Sequence, residues 1–242
     1  MKTTIQFIII TAVLGLFTQS CRKYNGWGIK GEGESITQTK SLGNFSEIDC
    51  EVDAEIIYTQ SNDTYIEITA QQNILSVLDM RIEGNTLTIE FKREVWNYKR
   101  IKIILHSPTL NAIEIDGSGE LIVQNKLSGE DLDIDMSGSG KITIPNIQLN
   151  YLKSKISGSG SIKISEGAIN NQSISISGSG YYSSEKAISQ TCDVNISGSG
   201  EAILNAQNKL IVSVSGSGKV KYRGKPLVTK DISGSGQLIA LD

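Results

Sequence analysis

The chain has 242 residues, 20% of them charged, with 23 Lys+Arg against 26 Asp+Glu and a formal net charge of −3. Such a mildly acidic, mixed-sign surface has no basic stripe, which excludes nucleic acid as a partner on electrostatic grounds. Three cysteines and one histidine supply neither an ordinary zinc site nor a disulfide scaffold, and no metal or cofactor is expected.

Residues 1–20 read as a signal peptide. Lys2 gives the positive start, and Ile5 to Phe17 is an apolar stretch interrupted by Gln6 and Thr11. That is shorter than the ~20 apolar residues of a membrane span. The stretch closes on Phe17-Thr18-Gln19-Ser20-Cys21, a small residue followed by cysteine. This resembles a bacterial lipoprotein signal, which implies lipidation of Cys21 and a membrane partner reached through its acyl chains. An ordinary secretory signal with Cys21 as bystander is the alternative. Loss of residues 1–20 removes Lys2 and no acid, taking the net charge from −3 to −4. Arg22 to Glu34 is Gly-rich and polar, as a flexible tether would be. The expected location is extracytoplasmic, lipid-anchored in the cell envelope at the outer membrane, on a face left open. No closing run of amphipathic strands suggests a barrel through which the chain could translocate itself.

Residues 35–110 form a β-rich, non-repetitive part. Glu51 to Thr59, Tyr65 to Ile68, Thr86 to Phe91 and Ile101 to Leu105 are rich in β-branched and aromatic residues. Asn62-Asp63 and Gly84-Asn85 mark turns, and Ile74 to Met80 reads as one or two helical turns. The segment from Arg93 to Lys99 carries Trp96 and Tyr98, two aromatics that could stack on a sugar or fold back over the domain end. Cys50 and Cys192 read as separate small apolar residues, a disulfide between them being the rarer alternative.

From residue 111 to 242 one tetrad recurs. Asp116-Gly117-Ser118-Gly119 is followed by Ser-Gly-Ser-Gly at 137–140, 157–160, 177–180, 197–200, 215–218 and 233–236. The starts are 21, 20, 20, 20, 18 and 18 residues apart. Apolar residues alternate on both sides: Ile113, Ile115, Leu121 and Val123 around the first tetrad, Val194, Ile196, Ala202 and Leu204 around the fifth. Period two on either side of a Gly-rich corner predicts two short strands per rung and a third side of variable length. The fold class is therefore all-β, a right-handed parallel β-solenoid with a non-repetitive N-terminal part. Glycine supplies the φ > 0 that a sharp corner needs. The serine between the glycines is expected to stack in the corner, its hydroxyl satisfying backbone groups, so that Ser199→Leu would destabilise the fold.

Each tetrad leads into a strand rather than a helix, so a phosphate-cradling loop is the lesser reading. Calcium-binding rolls need an aspartate per turn, and only Asp116 stands in a tetrad. In the register, Glu114 stacks beside Asp135, flanked by Asp116 and Asp133. This acidic patch is the candidate for a catalytic pair of the kind glycosidases use, or simply a solvated face near Lys141 and Lys155. Tyr181 and Tyr182 form a second aromatic spot, to be weighed with Trp96 and Tyr98 as ligand-binding residues.

Leu42-Gly43-Asn44-Phe45-Ser46-Glu47-Ile48, Gly84-Asn85-Thr86-Leu87-Thr88-Ile89 and the tetrad ladder together resemble the head GIN domain family of auto-transporter adhesins, over residues 38–236. The resemblance implies a β-helix-like fold and surface adhesion, and brings no catalytic residues. The expected function is a non-catalytic binding or adhesion module of an envelope lipoprotein, with a glycan or protein surface ligand. The alternatives are a carbohydrate-active enzyme working through the acidic patch, and a structural envelope protein forming homo-oligomers through its open solenoid edge.

Overall fold

The computed structural model describes residues 28–241. The signal peptide and Cys21 lie outside the described residues. Alternating residues before each tetrad form strands that pair, parallel and in register, with the strand one repeat away. Lys126–Gly138 lies on Asn146–Gly158, which lies on Gly167–Gly178 and then on Tyr181–Gly198. Shorter strands after the tetrads, Glu120–Val123, Lys141–Ile144 and Ser161–Ile164, stack in the same way. Like residues thus form files. Ile115, Met136, Ile156, Ile176, Ile196 and Val214 are buried in one file, and Leu121, Ile142, Ile162, Tyr182, Ala202 and Val220 in another. Burial of each large aliphatic side chain contributes about 1.5–3 kcal/mol. In the last rung Ile232 and Leu238 are half-buried, and Lys230 and Ala240 are exposed.

The corner works through its glycines. Gly138, Gly158, Gly178 and Gly198 have φ of 112°, 119°, 116° and 122°. A Cβ on Gly198 would stand 2.5 Å from the Gly178 carbonyl oxygen, and one on Gly200 would stand 2.5 Å from Ile176 Cγ2. The serines are different from expectation. Ser197 and Ser199, like their counterparts, face solvent. It is the Ser199 amide, not its hydroxyl, that donates to the Gly178 carbonyl at 2.8 Å. The corner therefore needs two glycines and tolerates what stands between them.

The third side runs through residues such as 126–129 and 146–149 before a bend at 130, 150, 170, 190 and 208. At that bend Asn170 donates to Asn150 at 3.0 Å and Asn208 to Gln190 at 2.9 Å. The shortening from 20 to 18 residues appears where Tyr181–Gly198 meets Glu201–Gly216, as register shifts between Ser183 and Ile188 and between Ser189 and Thr191. Inside this rung Tyr182 donates to Gln172 Oε1 at 2.6 Å, Ser184 donates to the same oxygen at 3.0 Å, and Gln172 Nε2 donates to Ser189.

The non-repetitive part adds two more layers to the same stack. Glu47–Cys50 and Ala54–Gln60 lie against Ala112–Gly117 and Glu120–Val123. On their other side they meet Thr86–Phe91 and Ile101–Ser107. Antiparallel strands close this end: Leu78–Glu83 on Thr86–Phe91, and Ser35–Lys40 on Tyr65–Gln71 on Ile101–Ser107. One apolar core runs through both parts, from Phe45 to Val220.

Two expectations change here. Among the described residues helix occupies only Gln72–Leu75, and Leu78 to Met80 belongs to a strand, because the Gly84 turn (φ 63°) folds it back on Thr86–Phe91. The described part of the expected tether is structured: Ile29–Lys30 pairs with Val95–Trp96 in a separate two-stranded sheet, and Lys99 reaches Glu34 at 2.7 Å. Cys50 and Cys192 are both free and buried.

Candidate functional site

Where the first tetrad corner meets the segment 97–100, a cleft of about 460 Å³ opens, lined by Asp53, Asn97, Tyr98, Arg100 and Ser118. Asn97 holds φ 51°, a conformation asparagine tolerates better than most residues. This kink delivers Tyr98 into the cleft, where its ring meets Phe91 edge-on at 5.4 Å. Burial, then the negative charge of Asp53, holds the Tyr98 phenol above its ordinary range. Arg100 donates to Glu120 at 2.9 Å, and Lys141 lies 3.1 Å from the same carboxylate. Hydrogen bonding from Lys141 first, and from Arg100, keeps Glu120 below the usual carboxylate range. The cleft thus combines a positioned aromatic ring, an acid, a base and neutral hydrogen-bonding groups.

Trp96 stands beside this region, exposed, its indole N–H donating to the Gly28 carbonyl at 2.9 Å and the Lys30 ammonium 5.8 Å from its ring centre. The second aromatic spot dissolves into two different residues. Tyr181 is exposed, but Tyr182 is fully buried with a hydroxyl committed to Gln172, since it occupies an inward file. Tyr181 belongs to the outward file Glu120–Lys141–Ser161–Tyr181, three rungs from the cleft margin, about 14 Å at the usual strand spacing. The structure does not bring it to Tyr98. Tyr151, also exposed, has no mark in the repeat pattern because its file otherwise holds Asp131 and Asn171.

The acidic patch is assembled as the register requires, and it is larger than the repeats indicate. Glu114 stacks between Asp49 and Asp135. Burial first, then repulsion from Asp49, Asp116 and Asp135, pushes the Glu114 carboxyl up. Asp49 is pushed up by burial and by Asp116 and Glu90. Two of the expected acids are neutralised: Asp135 by Lys155 at 2.7 Å and Asp133 by Lys153 at 3.5 Å. Asp49, Glu51 and Glu90 come from the non-repetitive layers. The alternation Ile48-x-Cys50 was the one signal that could have placed them. Among the described residues no three His, Cys, Asp or Glu side chains are arranged to hold a metal ion.

A parallel solenoid with tetrad corners, closed at one end by antiparallel strands, defines a class of β-helical domains. The family described as "Putative auto-transporter adhesin, head GIN domain" matches residues 44–226, and the chain belongs to it. A crystal structure of a putative adhesin from Bacteroides fragilis has 28% identity and a TM-score of 0.83, over 88% of this chain and 100% of that one. A putative lipid binding protein from Parabacteroides distasonis has 26% identity and a TM-score of 0.77, over 88% of this chain and 99% of its own. A putative adhesin from the same species, at 23% identity and a TM-score of 0.75 over 88% and 100%, shares the fold. No curated protein matches the chain.

Proposed function

We propose that this chain is an exported envelope lipoprotein, held at the outer membrane by acyl chains on Cys21, that works as a non-catalytic adhesion module. Its ligand is a surface glycan, one sugar of which enters the Tyr98 cleft. The observation that carries this reading is the Tyr98 ring, held against Phe91 in a cleft between Asp53 and Arg100. A fixed aromatic face flanked by polar groups suits the apolar face and hydroxyl rim of a pyranose. The ion pairs of Asp133 and Asp135 favour a salt-bridged surface over a free carboxylate pair. The named adhesin relatives support the same function.

The test is a glycan array probed with the mature chain and its Tyr98→Ala variant, with phospholipid vesicles added because one relative is described as lipid binding. Glycan signals lost in the variant support the cleft. Signals retained in full, or confined to vesicles, refute it. For the anchor, inhibition of lipoprotein signal peptidase should leave an unprocessed precursor, and normal processing rules lipidation out.

A further inference from the structure

Next to the register shift, the two rungs that precede the shortened one leave an opening on the side of the solenoid. Ser183 pairs with Ile203, but the next partners are Ile188 and Asn205, so residues 184–187 bulge past the following rung. Beside the bulge is a cavity of about 210 Å³ lined by Lys163, Ile164, Ser165, Ser183, Glu185 and Lys186. Ser183 sits in register on Lys163 and is only 7% exposed. Among the described residues no group hydrogen-bonds its hydroxyl, which lines the cavity and is reachable from it. The one carboxylate present is already engaged, Glu185 accepting from Arg223 at 2.9 Å and 2.8 Å. Lys163 and Lys186 form no ion pair among the described residues and line the same cavity.

We infer that this cavity is an oxyanion site, in which Lys163, Lys186 and Ser183 hold one sulfate, phosphate or carboxylate group of an acidic ligand. Two ammonium groups supply the charge, and the serine hydroxyls donate to the anion's oxygens. Ligand pockets commonly measure about 300–1,000 Å³. A cavity of about 210 Å³ therefore admits a single anionic group rather than a whole ligand. The site is separate from the Tyr98 cleft and stands whether or not that cleft binds sugar.

The test is an NMR titration of the mature chain with inorganic sulfate, inorganic phosphate, glucose 6-sulfate and glucuronic acid, each separately at fixed ionic strength. Saturable shifts centred on Ser183 and its neighbours are expected with at least one of them. Binding should weaken about tenfold or more in K163Q/K186Q, at unchanged melting temperature, and stay as it was in Y98A. Tighter binding of a sugar-borne group than of the inorganic ion assigns the site to acidic glycans, and the reverse assigns it to the free anion. Saturation that survives in K163Q/K186Q, or no saturation with any of the four, overturns the inference. The two lysines are exposed, so their exchange for glutamine leaves the fold intact.

Discussion

The Gly178 carbonyl oxygen lies 2.5 Å from the point where a Cβ on Gly198 would stand, and the same oxygen accepts the Ser199 amide at 2.8 Å. Both contacts repeat up the stack, so the corner is held by backbone and leaves no room for a side chain at its first glycine.

Gly198→Ala should therefore destabilise the protein by about 1–3 kcal/mol or more, from a disallowed φ and a backbone clash together. Ser199→Ala should shift stability by no more than about 0.5 kcal/mol, as surface changes do. Chemical denaturation of the two variants checks the contrast, and equal losses would contradict it.

Tyr182→Phe keeps the ring in its file but removes the hydroxyl that donates to Gln172. Ser184 still donates to the same oxygen, so the loss should be modest, about 0.5–1.5 kcal/mol. Tyr182→Ala opens a cavity in a closed rung and should cost about 3–5 kcal/mol. Thermal melts of both variants separate hydroxyl from volume.

Glu114 provides a pH test whose sign is fixed by its raised pKa. A carboxyl raised in the folded state favours folding when protonated, and this contribution is lost as pH rises from the ordinary carboxylate range through the folded value. At neutral pH the ionised group opposes folding through burial and through Asp49, Asp116 and Asp135. Glu114→Gln should accordingly raise the melting temperature at pH 7, and the gain should vanish in acid. A gain independent of pH would point to packing instead.

Burial pushes the Cys50 and Cys192 thiols up to about 12. Neither should react with a thiol reagent at pH 8 in the native state, and both should react once the chain is unfolded. A variant with Cys21→Ser isolates the two. Rapid native labelling would show that the rungs holding them open locally.

Most of the architecture was legible because each rung repeats the same compromise: apolar alternation, two glycines, polar outside. Tyr182 could be placed inward from the same alternation, since it follows Ile162 and precedes Ala202 in one file. The tetrad serine misled because a small residue between glycines suits either a packed or an exposed position. The extra acids escaped notice because the corner Glu51–Asp53 turns without glycine, so no tetrad announces that layer. The Lys163–Ser183 cavity lies between two rungs of equal spacing, beside a bulge that only the next rung's register reveals, so the repeat pattern does not say which side chains will flank it. The Tyr98 cleft needed the Asn97 kink, a single backbone choice that composition does not reveal.

The layer formed by Glu47–Cys50 and Ala54–Gln60 emerges early but ends up in the interior of the pile, between strands that end at Ser107 and others that end at Val123. As the chain folds, its two flanks wait for nearly fifty to seventy more residues before they are covered, whereas each later turn needs only its predecessor. Slow ripening is thus concentrated at this antiparallel closure, and the remainder can wind on like thread once that spool is set.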